Sequence, residues 1–155
     1  MLSGAAGQLY GNHYTWSFTD PSWRGYLDTT AVTQLGHLRD LFESIPWSSL
    51  APDQHHLLLP DDDVHHPYRV TGDVLESDYA AAAISDNKHL AVIYVPTSRT
   101  LNVDASVLGS NSAATWFDPT TGRSTPASAP FTTPGLHQDL SSDWVLVLRS
   151  SVSGG

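Results

Sequence analysis

Cysteine is absent from the 155 residues. Disulfide frameworks, cysteine-ligated zinc and thiol nucleophiles are thereby excluded. Lysine is nearly absent, with Lys88 the single example, and Lys and Arg together number 7 against 16 Asp and Glu. A net charge of −9 supplies no clustered basic surface for a phosphate backbone or an anionic bilayer, so neither nucleic acid nor a membrane is expected as a partner. Glutamate occurs only as Glu43 and Glu76. No apolar run reaches the length of about 18 residues that a membrane helix needs. No basic stretch leading into an apolar one follows Met1, so no signal peptide is expected.

What is present is unevenly spread. The first residues, LSGAAGQLYGNHYTW from Leu2 to Trp16, hold three glycines, two tyrosines, an Asn, a His and a Trp. The glycines make no G-x-G-x-x-G pattern and no Lys-Ser/Thr follows them, so a phosphate cradle is not indicated. Flat aromatic faces beside Asn and His suit a sugar instead. Rings stack on apolar C–H surfaces, and amide and imidazole groups reach hydroxyls. The alternative is that Tyr14, Trp16 and Trp23 simply pack a loop.

A short strand is expected over residues 2–5, then a long loop to about residue 28. Residues 31–44 then predict a helix, because Val32, Leu35, Leu38, Leu41, Phe42 and Ile45 recur at three- and four-residue spacing. Thr29 or Thr30 suits the N-cap and Pro46 ends the helix. One strand and one helix cannot close a core. Residues 1–50 therefore read as an incomplete αβ piece.

Residues 51–76 read as a connector, with Pro52, Pro60 and Pro67, the acid run Asp61-Asp62-Asp63 and the pairs His55-His56 and His65-His66. Imidazole and carboxylate together could bind a divalent ion. Neighbouring residues point apart on regular backbone, however, and no i, i+4 histidine pair is present, so no metal and no cofactor are expected.

Residues 77–150 read as a small antiparallel β-sandwich. Tyr79–Ile84 and Leu90–Val95 flank the turn Ser85-Asp86-Asn87-Lys88, a hairpin signal. Leu101–Asp104 alternates, and Trp116-Phe117 runs into the turn Asp118-Pro119-Thr120-Thr121-Gly122. Trp144–Leu148 is a wholly apolar run suited to a buried terminal strand, after which the tail should fray. Trp116 and Trp144 would mark a binding face only if exposed; in such apolar strands they read as core. Ser and His are plentiful, but no G-x-S-x-G elbow supports a catalytic triad.

Taken together, several stretches resemble a known family. These are GAAGQLYGNHYTW, Thr33–Arg39 with Phe42-Glu43-Ser44 and Pro46-Trp47, and Leu50-Ala51-Pro52-Asp53. They are similar to the last βα unit of apiosidase-like glycoside hydrolases. The segments Leu90–Arg99, Trp116–Gly122 and Asp143–Leu148 resemble the β-sandwich that closes those proteins, labelled "putative collagen-binding domain of a collagenase".

The resemblance implies a mixed fold: the last βα unit of a (β/α)8 barrel, incomplete, followed by the sandwich. It makes Leu2–Ala6 the eighth strand and places the next loop over a sugar site. Gln8, Tyr10, Asn12, His13 and Trp16 become the candidate substrate-binding residues. The implied ligand is carbohydrate, of the plant-type polysaccharide side chain class, and the implied partner is the missing N-terminal barrel. Gln8 stands where the family carries a His, so that position can hydrogen-bond but not titrate near neutrality.

Glycoside hydrolysis commonly needs two carboxylates roughly 5–9.5 Å apart. Glu43, late in the helix, and Glu76, in the connector, have no reason to converge, and Asp20 and Asp28 read as turn and cap residues. No catalytic residue is assigned; the resemblance puts both carboxylates on earlier strands. The expected function is a C-terminal part of a glycoside hydrolase-like protein, with a substrate-facing loop and a bracing sandwich. The alternative is a carbohydrate- or collagen-binding sandwich module.

Overall fold

The computed structural model describes residues 1–7, 9–11, 15, 18, 21–60, 78–109 and 111–150. Its centre is a six-stranded antiparallel sheet. The strands are β1 (Leu50–Pro52), β2 (Ala81–Ser85), β3 (Leu90–Val95), β5 (Ser112–Phe117), β6 (Ser124–Ala127) and β8 (Trp144–Ser150), in the order β1-β2-β3-β8-β5-β6. A two-stranded ribbon, β4 (Thr100–Leu101) with β7 (Phe131–Thr132), forms a second small layer.

The β2–β3 hairpin forms where expected, with Ala83 opposite Val92 and Ile84 opposite Ala91. Its turn is built by Ser85. The hydroxyl accepts from the N–H groups of His89 and Leu90, and donates to Asn87 Oδ1. Ser85 is thus a buried polar residue with its bonds satisfied, as burial requires.

β8 lies between β3 and β5. Its side chains alternate between two covered faces. Trp144, Leu146 and Leu148 join Ile93, Val95 and Trp116 in a core closed by Leu58, Leu59, Leu101 and Phe131. Val145 and Val147 point the other way, with Leu90, Val92 and Phe117, onto the helix α1 (Thr30–Glu43). A strand buried on both faces reads as a continuous apolar run, which explains the sequence of β8. The result is a helix, a sheet and a thin ribbon-and-loop layer. The open edges are blunt: β1 is three residues long with a proline, and β6 carries Pro126.

α1 follows its expected bounds closely. The Thr29 hydroxyl accepts from Val32 N–H, and Ser44 N–H closes the far end on the Asp40 and Leu41 carbonyls. Leu41, Phe42 and Ile45 are buried against the sheet, while Val32 remains 38% exposed.

Three expectations need correction. No strand forms over Leu2–Ala6; residues 2–4 turn back instead, with Gly4 at φ +93 donating to the Met1 carbonyl. A strand needs a hydrogen-bonding neighbour, and among the described residues none pairs there. The irregular crossing expected between the two units begins with sheet: Leu50–Pro52 pairs with Ala83–Ser85. Leu58 and Leu59 are fully buried in the sandwich core, because Asp53 folds the intervening loop by accepting from both Leu57 and Leu58 N–H. Arg149 and Ser150, expected to fray, continue β8, with Ser150 N–H bonded to the His89 carbonyl. Residues 151–155, Asp61–Asp63, His65, His66 and Glu76 lie outside the described residues.

Candidate functional site

Of the five substrate-binding candidates, the described residues include Tyr10; Gln8, Asn12, His13 and Trp16 lie outside them. Tyr10 is 44% exposed. It borders an open cleft of about 420 Å³, shared with Leu35, Leu38, Arg39, Glu43 and Trp47. A second cleft of about 310 Å³ lies between α1 and the sheet, walled by Leu38, Phe42, Val92, Tyr94 and Val145. Both follow the apolar stripe of α1 where the sheet does not cover it.

Other loop aromatics pack on one another. Phe18 meets Trp23 edge to face at 5.1 Å, and the Arg24 guanidinium sits 4.5 Å from the Trp23 ring. Trp23 therefore follows the packing alternative. Glu43 is exposed at the end of α1, and Arg39 pairs with Asp40 in solvent at 2.6 Å. Trp116 and Trp144 are both core residues, in edge contact at 6.5 Å. Around Tyr94, burial and then the neighbouring Asp143 charge raise the phenol pKa above its ordinary value.

Among the described residues, a dense polar cluster lies elsewhere, at the β5–β6 turn. Asp118 Oδ1 accepts from Thr120 N–H and the Thr120 hydroxyl, each at 2.7 Å, and from Thr121 N–H at 3.2 Å. Oδ2 accepts from the Thr121 hydroxyl at 2.8 Å. Behind the turn, His137 Nδ1 lies 3.2 Å from Asp118 Oδ1, while Nε2 donates to the Asp143 carbonyl at 2.6 Å. The His137 ring is buried and lies against Trp144, with centroids 4.4 Å apart. Burial opposes charge on Asp118. The Thr120 and Thr121 hydrogen bonds and the neighbouring His137 outweigh it and hold the carboxyl below its usual range.

Both His137 nitrogens face oxygen atoms that accept, so neither is left to activate a hydroxyl. A Ser–His–Asp mechanism is not built here. The turn itself was legible in the sequence; its partner His137, nineteen positions away among polar residues, carried no local signal.

Residues 68–149, more than half of the chain, match the family described as "Putative collagen-binding domain of a collagenase". The chain belongs to this family. Residues 1–49 match "Apiosidase-like, catalytic domain". Among solved structures, one described as a glycoside hydrolase is 19% identical, with a TM-score of 0.56; the match covers 83% of this chain and 27% of that one. A glycoside hydrolase family 5 structure from Bacteroides vulgatus is 18% identical, also with a TM-score of 0.56, and 83% and 26% are covered. At such identity the likeness speaks to fold alone. This family member spans about a quarter of the length of those structures. The comparison with curated proteins finds no match. No described helix is long and apolar enough to cross a membrane.

Proposed function

We propose that this chain is the closing part of an apiosidase-like glycoside hydrolase. Residues 1–50 complete a (β/α)8 barrel, 51–76 connect, and 77–150 brace the barrel as a sandwich. Gln8, Tyr10, Asn12, His13 and Trp16 shape a sugar subsite, and the ligand is a polysaccharide side chain of plant type. The catalytic carboxylates stand on strands outside these 155 residues, so the chain by itself cleaves nothing.

The observation that carries this reading is the unequal covering of α1. Its Leu41–Ile45 end is seated on the sheet, whereas Val32 stays exposed and Leu35 and Leu38 border open clefts. A helix with such a stripe normally buries all of it. The match of residues 1–49 to a catalytic domain supports the remainder of that domain as the missing cover.

The coding sequence upstream of Met1 tests the reading. An in-frame run of seven strand–helix units supports it, and stop codons there overturn it. Glycoside cleavage by the purified 155-residue chain would sink the claim that the chain is not competent alone.

The family description favours a second reading, a module that binds collagen or carbohydrate. Trp116 and Trp144 are buried in the core, so neither offers an aromatic binding face and such binding would use other surface. Retention on fibrillar collagen or on insoluble glycan supports it; passage through both columns removes it.

A further inference from the structure

The turn Asp118–Gly122 touches the chain on two sides. On one side is the sandwich, through His137. On the other is α1. His37, on α1, has its ring nitrogen Nδ1 3.0 Å from the Pro119 carbonyl, and since a carbonyl only accepts, Nδ1–H donates. The same ring lies against Gly122. A Cβ placed on Gly122 would stand 2.8 Å from His37 Cδ2 and 3.1 Å from Cγ. Gly122 also has φ +70, which suits glycine for the turn alone. The imidazole contact is a second and independent demand for a missing side chain.

We infer that this turn is the docking surface of the sandwich for α1, and that the half-buried Asp118 carboxylate, backed by the buried His137, is the positioning device that holds it ready. The partner is the helix of the segment that matches a catalytic domain. Apolar packing of Leu41, Phe42 and Ile45 on the sheet is non-directional and tolerates sliding. One hydrogen bond and one ring-on-glycine contact fix the helix along its axis and about it.

The turn can serve this way only if it is rigid beforehand. Its closure is redundant: Asp118 N–H donates to the Arg123 carbonyl, Gly122 N–H to the Asp118 carbonyl, and the Asp118 carboxylate gathers Thr120 and Thr121. His137, itself held by the Asp143 carbonyl and by Trp144, stops that carboxylate from turning away. The Pro119 carbonyl therefore meets His37 without further ordering, and that preorganisation is where binding strength is saved. The inference concerns contacts within the 155 residues and holds whether or not a barrel precedes them.

Amide hydrogen exchange on the whole 155-residue chain tests it. His37→Ala and Gly122→Asn are made singly and together; Asn tolerates the left-handed backbone but adds a Cβ. Each single change should speed exchange of α1 amides about tenfold and leave β3 and β8 amides at their original rates. The double variant should be no faster in α1 than the singles, since both changes act by removing or displacing the same His37 ring. Asp118→Asn, distant from α1 in contact, should also speed α1 exchange through the turn. Unchanged α1 rates in the singles would overturn the inference. So would additive effects in the double variant, or a parallel rise in β3 and β8, which would make these ordinary fold residues.

Discussion

The sheet and the helix differ in how completely each is enclosed. β8 has a strand on either side and a packed layer on either face, and Leu146 and Leu148 are fully buried. α1 has the sheet on one side of its stripe and clefts along the rest. The lesson is that one apolar pattern can be satisfied in one element and half-satisfied in its neighbour. A stripe records what a helix can bury, and here α1 buries only the Leu41–Ile45 end of it against the sheet.

The sharpest break in that comparison is Leu146→Ala. Removing a fully enclosed side chain from the central strand should cost about 2–5 kcal/mol, and chemical unfolding should show the whole module lost together. A cost near zero would mean that the sheet is less tightly packed than its burial indicates. Phe42→Ala should cost roughly 3 kcal/mol, but on the helix side. Exchange of α1 amides should rise while β3 and β8 stay protected; a single joint transition would show helix and sheet to be one cooperative unit.

Acid probes the turn that joins them. The Asp118 carboxyl is held below its ordinary range in the fold. Its contribution to stability is therefore complete above the unfolded carboxyl pKa, about 3.9, and is lost as pH falls through the folded value. Asp118→Asn should flatten the fall of stability below about pH 4 relative to the parent. Equal slopes in both proteins would contradict this.

The smallest effect is expected at the open end of the stripe. Val32 occupies the third helical position after the Thr29 cap, so Val32→Glu installs a capping-box partner near the helix N-terminus. The change should be neutral or stabilising by up to about 0.5 kcal/mol in this chain. Marked destabilisation would show that the end of the stripe is covered after all.

Elements governed by neighbours in sequence were legible. The α1 stripe, its Thr29 cap, the Ser85–Lys88 turn and the Asp118–Gly122 turn all rest on interactions a few residues apart. Elements governed by distant pairing were not. Leu50–Pro52 reads as loop because its partner Ala83–Ser85 lies some thirty residues on. Residues 2–5 read as a short strand, and the family resemblance makes Leu2–Ala6 a barrel strand, yet no described neighbour completes it. The candidate sugar loop was read from residue type. Tyr10, its described member, is exposed beside a cleft lined partly by α1.

The sequence by itself determined the class of chemistry available and the local units. It excluded thiols and disulfides, and set the helix and the hairpins through periodicity and turn residues. Only the tertiary structure decided that β8 sits at the sheet's centre, that α1 closes one sheet face, and that His137 and His37 meet the two sides of one turn. The physical reason is range. Propensity, capping and turn chemistry act over a few residues, whereas strand order and side-chain convergence depend on which distant surfaces exclude water together.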